Sequence, residues 1–97
     1  MLVLSALTRR RELHGFEIAT AIEQASIDVL RVEEGSLYPA LQRMLVKGWI
    51  SGEWRRTDEN RRARYYRVTT AGRRELERRV DAYRRVSGAI DRVLEMA

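Results

Sequence analysis

Leu76, Val80, Tyr83, Ser87, Ile90 and Leu94 step along the C-terminal part of the chain by four, three, four, three and four residues. That spacing is a heptad seam with one polar break, at Ser87. Val86 and Val93 widen the apolar stripe. Thr69 or Thr70 supplies the N-cap, and Gly88 beside the break marks a place where the helix could bend. A helix of roughly 25 residues is about 38 Å long. The remainder of a 97-residue chain is too small a body to cover an apolar stripe of that length. Residues 70–97 are therefore predicted to form a dimerisation helix, with Leu76, Val80, Tyr83, Val86, Ile90, Val93 and Leu94 against a second subunit.

Upstream, the periodicity predicts three helices and a hairpin. Met1 to Thr8 is apolar and reads as the last turns of a first helix, followed by the polar connector Arg9-Arg10-Arg11-Glu12. His14-Gly15 opens a second helix, whose apolar face is read as Phe16, Ile18, Ala19, Ala21, Ile22 and Ala25. Val32-Glu33-Glu34-Gly35 reads as a loop. Ser36 is then expected to cap a third helix, with Pro39 in its first turn, where a missing N–H costs nothing. Leu37, Leu41, Met44 and Leu45 give this helix its inner face, and Gly48 ends it. Trp49 to Trp54 and Ala63 to Val68 are aromatic and β-branched runs, predicted to pair as a hairpin across the polar tip Thr57 to Arg62. The expected class is mainly α with a small β-hairpin (α+β). Residues 1–69 read as a winged helix-turn-helix unit, continuous with the long C-terminal helix.

Charge separates the two halves of the chain. Residues 1–54 carry six basic and seven acidic side chains, whereas residues 55–97 carry thirteen and seven. A basic half points to a polyanionic partner. Eighteen of the nineteen basic residues are arginine, whose planar fork suits phosphate and guanine. Codon bias in a GC-rich genome would account for arginine replacing lysine, but not for the clustering of Arg55, Arg56, Arg61, Arg62, Arg64 and Arg67 on the hairpin.

The same composition argues against other classes. The lack of cysteine removes disulfides and thiolate metal sites, and fits a reducing, cytoplasmic compartment. A single histidine, His14, argues against an imidazole-rich metal site, so no metal or cofactor is expected. His14 reads as a turn or capping residue. No apolar run approaches the ~20 residues of a membrane span, and Leu2-Val3-Leu4 is too short for a signal-peptide core. Carboxylates alternate with arginines, without a Ser-His-Asp set or a glycine-rich phosphate loop, so no enzyme is predicted.

Gly35-Ser36-Leu37-Tyr38-Pro39-Ala40-Leu41 resembles the PadR family of bacterial winged-helix regulators. His14-Gly15-Phe16-Glu17-Ile18, Gly48-Trp49-Ile50 and Arg64-Tyr65-Tyr66-Arg67-Val68-Thr69-Thr70-Ala71-Gly72 resemble further family motifs in the same order. The resemblance covers roughly residues 1–80. Arg31 to Gly35 and Glu59 to Arg64 are similar to a sub-branch common in acidobacterial genomes. The resemblance implies a homodimer on a palindromic operator, usually a repressor, released by a small aromatic or hydrophobic effector. Relative to the family the chain starts late, with much of the first helix expected to be missing. Glu33 and Glu34 sit where phosphate would repel them. No tryptophan lies near the C-terminus to sandwich a flat drug.

On a helical wheel, Ser36, Pro39, Gln42, Arg43 and Val46 lie away from the apolar side, with Tyr38 at the margin. This outward set would face the major groove, Gln42 reading adenine and Arg43 guanine or phosphate; a merely solvated face is the alternative. Ser36, Tyr38, Pro39, Gln42 and Arg43 are the candidate DNA contacts on the helix. Arg61, Arg62 and Arg64 are the candidates on the wing, for backbone or minor-groove contact. Pairing of the tip arginines with Asp58 and Glu59 would instead be structural. Trp49, Trp54, Tyr65 and Tyr66 are expected to pack the hairpin on the helices. Arg73 and Arg74 lie near enough to the last helix's start to reach DNA, or are its wet face. One other function competes, a winged-helix protein-interaction module that never binds DNA; a carrier or sensor holding an aromatic ligand in a dimer cleft is compatible with repression.

Overall fold

Eight apolar side chains from three short helices meet three from a small sheet, and their burial defines the core. The computed structural model describes residues 1–96; Ala97, the last residue of the expected dimerisation segment, lies outside the described residues. The elements run α1 (Leu2–Arg9), β1 (Leu13–His14), α2 (Gly15–Ala25), α3 (Glu34–Val46), β2 (Ile50–Arg56), β3 (Arg62–Val68) and α4 (Thr70–Glu95). This is the α+β class expected, four helices and one antiparallel sheet. Val3, Leu4, Ala6 and Leu7 of α1 pack on Ile18 and Ile22 of α2 and on Leu37 and Leu41 of α3. Leu13, Ile50 and Tyr66 close the core from the sheet.

α2 begins at a reciprocal cap. The amide of Glu17 donates to His14 Nδ1 at 3.3 Å, and the amide of His14 donates to Glu17 Oε1 at 3.1 Å. Two orphan donors of the first turn are thereby satisfied. The capping reading of His14 holds. The helix ends at Ala25, where Ser26 turns the chain: Ile27 and Asp28 follow with φ of 52° and 59°. Such left-handed positions cost a non-glycine residue roughly 1–2 kcal/mol each. The Ser26 hydroxyl holds the turn by accepting from the Leu30 amide at 3.1 Å. Glu23 reaches forward to accept from the Val32 amide at 2.9 Å.

α3 departs from expectation at its start. Its N-cap is Glu33, with no side-chain cap, and Glu34 and Gly35 are helical rather than loop. The amide of Ser36 donates to the Glu33 carbonyl at 3.0 Å, so Ser36 lies inside the first turn and is not the cap. Pro39 consequently sits beyond the first turn, and its missing N–H leaves the Gly35 carbonyl without a helical donor. Gly35 is exposed, so solvent can satisfy that oxygen. Gly48, at φ +76°, turns the chain out of α3 into the sheet.

The strand order is β1-β3-β2. Nothing in the residue pattern announces β1, because two residues are too few to show alternation. Leu13 pairs with Tyr66 and His14 with Tyr65, while β2 and β3 pair from Ile50↔Val68 to Arg56↔Arg62.

The exit of α3 is pinned to the entry of α4. The Thr69 hydroxyl donates to the Gly48 carbonyl at 2.6 Å and accepts from the Gly72 amide at 3.0 Å. The Thr69 amide donates to the Trp49 carbonyl at 3.0 Å. Of the two threonines considered, Thr69 is the cap. α4 then runs 26 residues without a break at Gly88, about 39 Å of rod on a molecule measuring 56 × 28 × 22 Å. Leu76, expected at the subunit seam, is half-buried against this chain's own core. Tyr83, Val86, Ile90, Val93 and Leu94 are exposed. No helix among the described residues is long and apolar enough to cross a membrane.

Candidate nucleic-acid interface

α3 is two-sided. Leu37 and Leu41 are buried and Met44 and Leu45 pack on the core, whereas Ser36, Pro39, Gln42, Arg43 and Val46 are exposed. Val46 is 79% exposed, an apolar side chain left in solvent on the outer face. Pro39, Gln42, Arg43 and Val46 border a shallow hollow of about 390 Å³. Glu33 and Glu34 are exposed at the helix start.

Strand alternation sorts the hairpin arginines into two sets. Arg56, Arg62 and Arg64 share a face with Trp54, Tyr66 and Ile50. Arg55 and Arg67 share the other face with Tyr65. On the first face, the guanidiniums of Arg62 and Arg64 lie 5.0 and 5.9 Å from the Trp54 ring centroid. Arg64 runs across Gly52, where an added Cβ would come within 2.6 Å of its Nε. Arg64 is half-buried, and its Nε has no hydrogen-bond partner. Trp54, expected to pack against the helices, is instead exposed beneath these two arginines. Tyr66 and Trp49 do pack on the core.

On the second face two guanidiniums share one carboxylate, with Glu53 3.9 Å from Arg55. Arg55 Nη2 lies 2.5 Å from Glu12 Oε2, and Arg67 Nε donates to the same oxygen at 3.0 Å. Arg55 first, then Arg67, hold the Glu12 carboxyl below the usual carboxylate range. The sequence pattern could not find this trio, since Glu12 and Arg67 are brought together only by sheet pairing.

At the apex, Arg61 and Arg62 are exposed. Asn60 makes the turn in the left-handed region, φ 62°, and accepts from Arg56 Nη1 at 3.0 Å. No ion pair joins Asp58 or Glu59 to an arginine among the described residues, so the tip is not a salt-bridge structure. Arg73 and Arg74 are exposed in the first turn of α4.

Between hairpin and helices lies an open cleft of about 920 Å³, bordered by Phe16, Tyr38, Gln42, Trp54, Arg62 and Arg64. Helical spacing places Phe16 on the apolar face of α2, yet it is 69% exposed at this cleft. At the second position of the helix it points past the core that Ile18 and Ile22 fill. Tyr38 reaches back to α2, where Gly15 leaves room: a Cβ there would lie 3.0 Å from the tyrosine oxygen. The structure thus brings Tyr38, Gln42, Arg61, Arg62 and Arg64 to one cleft, with Ser36, Pro39 and Arg43 continuing along the exposed side of α3. No group of three or more metal-ligating side chains occurs among the described residues.

Three helices, a short β1 and an arginine-rich hairpin define a winged helix-turn-helix unit. Residues 3–78 match the family model described as the transcriptional regulator PadR-like family, and the chain belongs to that family. Its members are transcriptional regulators, not enzymes. The chain is 43% identical over 90 residues to an uncharacterized 37.1 kDa protein in transposon Tn4556 of Streptomyces fradiae. That alignment takes in 93% of this chain but 24% of the transposon protein, so the chain spans about a quarter of that relative. A PadR-like transcriptional regulator from Bacillus cereus superposes with a TM-score of 0.78 at 27% identity, covering 95% of this chain and 86% of that one. The Bacillus subtilis PadR structure in complex with operator DNA superposes with a TM-score of 0.71 at 22% identity, covering 81% of this chain and 44% of that one.

Proposed function

We propose that the protein is a cytoplasmic, homodimeric DNA-binding regulator, acting as a ligand-responsive repressor on a palindromic operator. The observation that carries this reading is the convergence, around one cleft, of tip arginines that form no ion pair among the described residues and of Tyr38 and Gln42 from an exposed side of α3 that the core does not use. In this reading residues 1–69 bind the duplex and residues 70–97 join the subunits.

The outer face of α3 enters the major groove. Gln42 pairs with adenine and Arg43 with guanine or phosphate. The hollow between Pro39 and Val46 suits a thymine methyl, an apolar contact of the kind that tells T from C. Ser36 and Tyr38 serve the sugar-phosphate strand, while Arg61, Arg62 and Arg64 grip backbone or minor groove. The exposed stripe Tyr83, Val86, Ile90, Val93 and Leu94 supports pairing of two chains through α4, with half-buried Val80 next along the seam and Leu76 already packed on this chain's own core. The Bacillus subtilis neighbour, solved in complex with operator DNA, supports duplex binding by likeness of fold. A small aromatic or hydrophobic effector, implied by the family resemblance, would act by changing the spacing of the two winged units.

Selection of bound sequences from a random duplex pool tests this reading, with enrichment of a two-fold-symmetric site as the expected result. Replacing Arg61 and Arg62 together by alanine is expected to weaken binding to every sequence alike and to lower the log–log salt slope by about 1.8 per subunit. Gln42→Ala is expected to change which site is preferred. Absence of any duplex binding in dilute buffer overturns the reading.

A further inference from the structure

The Glu12 carboxylate lies one residue before β1, and the β1–β3 register, continued outward, sets it opposite Arg67. It contacts guanidiniums from both hairpin strands, Arg55 of β2 and Arg67 of β3. Arg55 also lies 4.2 Å from the Tyr65 ring, which meets the His14 ring edge-on at 5.4 Å. His14 is the cap of α2. Beside the β1–β3 pairing, one carboxylate and an aromatic contact thus join this face of the wing to the start of α2. On the opposite face Arg62 and Arg64 form no ion pair among the described residues.

We propose that Glu12 tempers duplex binding: its carboxylate withholds Arg55 and Arg67 from phosphate. This rests on the nucleic-acid reading above. A guanidinium already paired with a carboxylate displaces no counterion from DNA. Phosphate contacts add affinity without sequence information. By occupying two of the six hairpin arginines, Glu12 lowers sequence-blind affinity and leaves relatively more of the binding to α3.

The test measures binding to a fluorescent random-sequence duplex across a salt series. Glu12→Ala is expected to bind more tightly at low salt, with a log–log slope steeper by about 0.9 per subunit, since Arg55 keeps Glu53 nearby. Adding Arg55→Gln and Arg67→Gln to that variant returns the slope to the parent value. The two glutamine substitutions made with Glu12 in place leave the parent slope unchanged, which keeps the idea testable should Glu12→Ala fold poorly. A folded Glu12→Ala variant with an unchanged or shallower slope overturns the proposal, as does a fall in slope when only the two arginines are replaced. A parent protein that binds no duplex at any salt defeats the nucleic-acid reading itself, a different result from a parent that binds while Glu12→Ala changes nothing.

Discussion

A Cβ on Gly72 would lie 2.0 Å from the carbonyl oxygen of Trp49. The first turn of α4 thus rests directly on the backbone leaving α3, and only glycine permits the approach. Gly72→Ala is expected to cost about 1–3 kcal/mol, as overpacking does. Gly35 is the contrasting case, with nothing within 4 Å of its would-be Cβ. Gly35→Ala, inside a helix, is expected to stabilise by about 0.5–1 kcal/mol. Denaturant melts of the two variants should shift in opposite directions.

Adjacent residues on α3 should behave as differently as their two environments. Leu41 is 1% exposed, and Leu41→Ala is expected to cost about 2–5 kcal/mol through the cavity it leaves. Gln42→Ala, one residue on, is expected to stay within about 0.5 kcal/mol of the parent. Thermal unfolding followed by circular dichroism measures both. A large loss at Gln42 would mean that the outer face supports the fold.

Acid should loosen the molecule through two carboxylates. Glu12 is held below the usual range by Arg55 and Arg67. Burial pushes the Glu75 carboxyl up, but hydrogen bonds from Arg78 and Arg79 outweigh it and the net shift is downward. A carboxyl lowered in the folded state stabilises above its unfolded value of about 4.3. That contribution disappears as pH falls through the lowered folded value. Melting temperature should therefore drop as pH is lowered from about 5 toward 3. Glu12→Gln should show a shallower drop than the parent in the same titration.

The α4 stripe predicts association. Ile90 is exposed to 53% among exposed apolar neighbours. Ile90→Asp puts an unpaired charge into the seam that a second chain would bury, a penalty of several kcal/mol. Light scattering is expected to show a dimer for the parent and a monomer for the variant. A variant that remains dimeric would move the interface elsewhere.

Local periodicity revealed α2, the inner side of α3, the hairpin and α4, because each carries a repeating apolar pattern over enough residues. The outward set on α3 followed from the same wheel. β1 escaped because two residues carry no period. The start of α3 was misread because Ser36 has the chemistry of a cap, although Glu33 opens the turn. Helical spacing groups Phe16 with Ile18 and Ile22 because it cannot say where the core ends. The division of the hairpin arginines by Glu12 depends on strand register and on contacts such as Glu12–Arg67, 55 residues apart, beyond any local pattern.

Ser36, Pro39, Gln42, Arg43 and Val46 support nothing inside the molecule. Mutations along that strip are consequently nearly free of folding constraint, while those at Leu37 or Leu41, a fraction of a turn away, are not. If that strip reads the duplex as proposed, descendants of such a chain acquire new targets by drifting at a handful of codons, with the scaffold beneath them inherited intact.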